Sequence, residues 1–291
     1  MGGLPRGGAW GSALSAGAFA AIRSVGFEPV GQVFGAAVYP LSSAAGVSCP
    51  GVTARDRLRG TWQQAPGSGP TTVSGQGVPG PAARIARALS DGRRAAVDRM
   101  TAECADLGGH GIVGARVRVR EVPAEVLTAG AVEFTVLGTA VRAAGCPQLA
   151  RPFACDLSGQ DFAKLVMAGW VPAGIALGIS VAARHDELLA SDRSRWGPGN
   201  TEVPAYTDLM VTVRQDARTQ LEHAVRGVGA DGVVISAMTL RVRGDACQAH
   251  PGGTDHFAEA VITGSAIARF AHDSGAAAAP SLAVLALDDP R

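Results

Sequence analysis

Two stretches of this chain, read against each other, decide its fold. Residues 12–35 run SALSAGAFAAIRSVGFEPVGQVFG, and residues 155–178 run CDLSGQDFAKLVMAGWVPAGIALG. They align without a gap at an offset of 143. Leu14, Ser15 and Phe19 meet Leu157, Ser158 and Phe162, while Gly26, Pro29, Gly31 and Gly35 meet Gly169, Pro172, Gly174 and Gly178. Further out, LGGHGIVGA at 107–115 meets VGADGVVIS at 228–236 at an offset of 121. GTAV at 138–141 meets GSAI at 264–267 at an offset of 126. Three matching blocks in one order read as a tandem duplication, and the changes of offset place insertions in loops.

Each block has a physical meaning. The Leu-Ser pair opens a short helix. Ser158 is an N-cap with Asp161 three residues on, a capping-box pattern, whereas the first copy has Ala18 at that place and a weaker cap. The helix stops at Gly26 or Gly169, each a C-terminal glycine. A strand follows, with Pro29 or Pro172 near its start, where a missing N–H is tolerable. In the second copy Leu209, Val213, Ala217, Leu221, Ala224 and Val228 recur at steps of three and four, which predicts a one-faced helix from near Thr207. The first copy offers Ile85, Leu89, Ala96, Met100, Cys104 and Leu107, with a gap around Gly92. Strands are predicted over 112–120 and 132–142 in one copy and over 233–242 and 258–270 in the other, each pair forming a hairpin.

The expected fold class is therefore α+β: a helix–strand–helix–strand–strand unit used twice, with small antiparallel sheets. The first repeat covers 12–145 and carries a Gly/Pro/Ser/Thr-rich insert at 63–81. The second covers 153–270, and 271–291 is a spacer with an apolar tail, Ser281 to Leu287, suited to adding an edge strand here or in a neighbouring subunit.

Composition narrows the function. A net charge of +1 and the lack of any Lys/Arg block argue against nucleic acid as a partner. The longest apolar stretch, Trp170 to Ala183, contains Pro172 and is too short to span a bilayer, so no membrane insertion is expected. Ser12 to Ile22 has the look of a signal-peptide apolar region, but the same segment recurs mid-chain, so it reads as fold and not as a leader. Five cysteines (49, 104, 146, 155 and 247) with no CxxC suit a reducing cytoplasm and buried thiols.

The long helix, the Gly-Ala-Asp-Gly-Val-Val turn at 229–234 and the closing Gly-(Thr/Ser)-Ala-(Val/Ile) strand resemble the YbjQ-like family, also labelled heavy-metal-binding domain proteins. Gly26 to Gly35, GFEPVGQVFG, is similar to that family's first strand. Gly109-His110 replaces the Ala-Asp of the turn in the first copy. The resemblance implies a compact α+β fold that assembles into rings, commonly pentamer-based. It implies no known activity.

For chemistry, the segment DACQAHPGGTDH (245–256) gathers Asp245, Cys247, His250, Asp255 and His256. Borderline and soft donors within one hairpin can hold a divalent transition metal such as zinc or copper, although the spacing fits no standard site and a solvated loop is the competing reading. His185-Asp186-Glu187 reads as a surface turn, as a ligand cluster or as an acid/base pair. His110 reads as a turn residue or as a pocket group. Arg116, Arg118 and Arg120 alternate with valines and so share one strand face. That row is a solvated face, a partner of acidic residues such as Glu121 or Glu133 between subunits, or an anion site. Cys104 and Cys155 read as packing groups. GxSxG, HExxH, a P-loop and a dinucleotide fingerprint are all absent. The expectation is a non-enzymatic, self-associating protein of ring-forming type. The alternative is a metal- or small-ligand-binding module built on Cys247, His250, Asp255 and His256.

Overall fold

A computed structural model describes residues 11, 13–40, 72–73, 81–122, 131–185, 204–246 and 254–270. In chain order the elements are α1 (Ala16–Ser24), β1 (Phe27–Pro40), β2 (Thr72–Val73), α2 (Pro81–Asp106), β3 (Gly111–Val122), β4 (Ala131–Ala143), β5 (Phe153–Ala154), α3 (Gly159–Met167), β6 (Trp170–His185), α4 (Pro204–Gly227), β7 (Gly232–Ala246) and β8 (Thr254–Arg269). The class is α+β, as expected. Apart from the two-residue strands β2 and β5, the order short helix, strand, long helix, strand, strand occurs twice.

Local chemistry sets the boundaries. Ser15 and Ser158 both cap their helices, each Oγ accepting a backbone N–H at 3.1 Å, from Ala18 and Asp161 respectively. The Ser158 hydroxyl also donates to Asp161 Oδ2 at 2.7 Å. Gly26 and Gly169 follow the helices with φ of +83° and +82°, a conformation in which a side chain is strained. Both long helices start on a proline, whose absent N–H costs nothing in a first turn. The second therefore begins at Pro204, three residues before the predicted start near Thr207. Leu209, Val213, Ala217 and Leu221 of that stripe are buried, but Val225 takes the place of Ala224, and Val228 is exposed in the turn beyond the helix end.

Two sheets result, in the orders β1-β4-β3-β5 and β2-β6-β8-β7. The first is mixed and not purely antiparallel as expected, because β5 runs parallel to β3, pairing Phe153 with Gly111 and Ala154 with Ile112. In the second, β2 from within the 63–81 insert pairs Thr72 with Ala183 and Val73 with Ala182. Each sheet thus takes a two-residue strand from the other half of the chain. The remaining residues of the insert and the 271–291 tail lie outside the described residues.

Alternation along the strands orders the layers. Val33, Gly35 and Ala37 of β1, with Phe134 and Val136 of β4, face one side of α2 through Ile85, Leu89, Ala96 and Met100. Ala82 and Ala86 of α2 belong to the same core as Ile179, Val181 and Ala183 of β6 and Phe257 and Val261 of β8. The intervening residues Ala176, Ala182, Ala258 and Ile262 turn to the opposite face and pack with Leu209, Val213 and Leu221 of α4. The stack is sheet one, α2, sheet two, α4. A third cluster, with Ile22 of α1 and Phe162 and Leu165 of α3, closes one end against Val113, Val141 and Ile267.

Candidate functional site

The second hairpin is longer than predicted. β7 continues to Ala246 and β8 begins at Thr254, so Asp255 and His256 belong to a strand and not to a loop. Both residues are buried. His256 Nδ1 lies 2.8 Å from the Tyr206 hydroxyl of α4, with the two rings edge to face. Consecutive strand residues point to opposite faces, so a single ion does not take both Asp255 and His256. Cys247 and His250 lie outside the described residues. Among the described residues no group of three or more His, Cys, Asp or Glu converges as a metal site. His185 is the last residue of β6, and Asp186 and Glu187 lie outside the described residues.

The other titratable groups have structural roles. His110 is buried in the turn before β3, where its Nδ1 accepts the Ala143 N–H at 3.0 Å. It therefore ties the start of β3 to the end of β4. Cys104 points its thiol at the Gly111 carbonyl at 3.4 Å, and burial pushes it up to about 11. Burial likewise pushes Cys155 up to about 12. Both thiols stay protonated at neutral pH and are poor nucleophiles. In a cleft between the β3 edge and sheet two, bordered by Arg116 and Arg118, the Asp156 carboxylate accepts from Ser236 Oγ and Ser265 Oγ. Both of its oxygens are engaged. It ties the segment after β5, which is paired into sheet one, to β7 and β8 of sheet two, and it is not poised as a general base.

One exposed surface has no role within the described fold: the face of sheet one turned away from α2. Register assigns it three rows: Phe34, Leu137 and Arg116; Ala36, Thr135 and Arg118; Val38, Glu133 and Arg120. Phe34 is 50% exposed and Val38 52%, unusual for large apolar side chains in the centre of a strand. The arginine row predicted from sequence is there and exposed, and Arg120 reaches Glu133 at 3.4 Å within the same chain. The neighbouring β1 edge is already covered by α2: the Phe34 N–H donates to Glu103 at 2.6 Å and the Ala36 carbonyl accepts from Arg99. What this surface offers is its face, apolar on one flank and cationic on the other.

Sequence reasoning missed one residue that matters here. Arg93 fills the gap in the first long helix and is buried, with its guanidinium 5.3 Å from the Phe134 ring centroid. Desolvation lowers its pKa, Glu259 opposes that shift, and Arg241 adds to it. It thus lies within electrostatic reach of two sheet-two side chains. The available signal was its place at the gap of an otherwise apolar stripe.

Set beside known proteins, residues 76–144, which hold α2, β3 and β4, match the YbjQ-like family model described as putative heavy-metal-binding. A Mycobacterium tuberculosis protein named as an encapsulin nanocompartment protein is 29% identical over 235 residues, covering 77% of this chain and 75% of the relative. No solved structure matches.

Proposed function

We propose that this chain is a non-enzymatic assembly or scaffold subunit, built from two tandem YbjQ-like units, that self-associates into a pentamer-based ring in the cytoplasm. The observation that carries this reading is the exposed face of sheet one, where Phe34 and Val38 of β1 stand half exposed on the same face as three arginines of β3. A water-facing apolar patch in the middle of a long strand is suited to contact with a partner. The relative named for a nanocompartment supports an assembly role, and the repeated element order supports the duplication. Because each chain supplies two units in succession, a closed ring holds an even number of units.

Native mass measurement tests the proposal directly. The expected result is a discrete multiple of the 29.4 kDa chain, retained at micromolar concentration and compared with and without residues 274–291. A strict monomer at that concentration would sink it.

A second reading makes the chain a metal- or small-ligand-binding module, with Cys247, His250 and either Asp255 or His256 as donors. Its support is the family's heavy-metal description and the presence of soft and borderline donors around one hairpin. Metal analysis of untagged protein, with a Cys247→Ala/His250→Ala variant alongside, separates the two readings. Equal and negligible metal content in both proteins removes this one.

A further inference from the structure

The inside of the molecule already contains a helix packed on the kind of face that sheet one leaves open. The offsets found in the sequence map one half onto the other: 143 for β1 to β6, 121 for α2 to α4 and for β3 to β7, and 126 for β4 to β8. Under these offsets the row Val38, Glu133, Arg120 corresponds to Val181, Glu259, Arg241, and the register agrees in both sheets. The row Ala36, Thr135, Arg118 corresponds in the same way to Ile179, Val261, Thr239. In sheet two this face is covered by α2, leaving Val181 1% exposed, against 52% for Val38 at the matching place. The covering residues are Ala86, Arg93 and Val97.

The same offset of 121 carries Ala86 and Arg93 to Thr207 and Arg214 of α4. Arg214 is exposed, and so is Val211, one turn before it, at 46%. Within the chain, Arg93 comes to Glu259 beside Arg241. On the two open ends of the stack, Arg214 is the corresponding cation and Glu133 beside Arg120 the corresponding acceptor. The outer surface of α4 and the open face of sheet one are therefore the two halves of a contact that the chain makes once with itself.

Resting on the assembly reading above, we propose that a second copy of this chain covers sheet one with its α4 helix, Arg214 meeting Glu133 and Val211 packing over Val38 and Phe34, as α2 covers sheet two. The two surfaces differ, so the contact is heterologous: it propagates head to tail and ends only when a ring closes.

Charge exchange tests this. Arg214→Glu and Glu133→Arg each place like charges at the contact, and each should weaken association about tenfold or more in sedimentation at physiological salt. The double variant, which restores opposite charges in reversed order, should recover most of the loss. Val38→Glu should also weaken association, without rescue by either charge change. If the wild-type chain is an oligomer and none of these variants alters its mass, the contact lies elsewhere and this inference falls while the assembly reading stands. If deleting residues 271–291 alone dissociates the oligomer, the tail is the occupant and the inference is overturned. A monomeric wild type removes both.

Discussion

Gly35 of β1 lies directly beneath Ala96 of α2, so close that a β-carbon on the glycine would overlap the Ala96 carbonyl oxygen. Gly178 stands in the same relation to Ala217 of α4. In each half, the strand glycine and the helix alanine let the backbones approach, and that crossing fixes where the helix sits on its sheet. Gly35→Ala and Gly178→Ala must push a helix off its strand. Each should cost about 2–3 kcal/mol, the upper part of the overpacking range, in urea unfolding. Loss under 1 kcal/mol at both sites would mean that the helices have room to shift.

Phe134 and Gly92 make a second complementary pair. The ring occupies the space that a side chain at position 92 would take. The corresponding pair in the other half is Ala260 and Val213, both within one core cluster. Large on strand and nothing on helix has become small on strand and medium on helix. Phe134→Ala alone should cost roughly 3–5 kcal/mol, and Gly92→Val alone should be destabilising through overlap. The double variant should be more stable than the sum of the singles by about 1 kcal/mol or more in a double-mutant cycle. Simple additivity would contradict the pairing.

The buried thiols set an upper pH limit. Cys104 and Cys155 ionise at about 11 and about 12 when folded, against 9.0 for an unhindered thiol. Unfolding therefore releases protons only above about pH 9. Stability should be insensitive to these groups below that value and should decline as pH rises from 9 towards 12, by up to roughly 1.4 kcal/mol per pH unit for each thiol. Thermal unfolding across that range checks the sign. Alkylation at pH 8 followed by peptide mapping should label exposed Cys146 and spare Cys104 and Cys155 until denaturant is added.

The two N-caps should not be equal. Ser158→Ala removes a cap and also the contact with Asp161, so about 1–1.5 kcal/mol is expected, while Ser15→Ala, with no acidic partner, should cost roughly half of that. Chemical denaturation of the two variants side by side decides it.

Periodicity and glycine punctuation made most of the fold legible. The α+β class, the strand pairs, the helix-ending glycines and Ser158 all follow from local chemistry that a short window contains. The contacts between halves did not. β5 adds to sheet one and β2 adds to sheet two because of how two distant segments dock, and a two-residue strand has no periodicity to read. The gap at Gly92 read as weakness in a helix because its explanation, Phe134, lies some forty positions away. The arginine row was visible as a face, but its meaning depended on the internal counterpart at Arg241 and Glu259, which only the register supplies. For the candidate metal donors, sequence showed the residue types, and the structure adds that Asp255 and His256 are strand neighbours with Tyr206 at His256.

Because α2 serves sheets on both of its flanks, the stretch between the halves is not a place where the molecule can be divided. Cleavage at 145–152 followed by separation would expose Ala86 and Val97 on one fragment and Val181 and Val261 on the other, and would leave Arg93 without Glu259. The two halves are therefore expected to melt in one transition. The wall between them is built from both halves, so the chain meets any neighbour with α4 at one end of the stack and the open face of sheet one at the other.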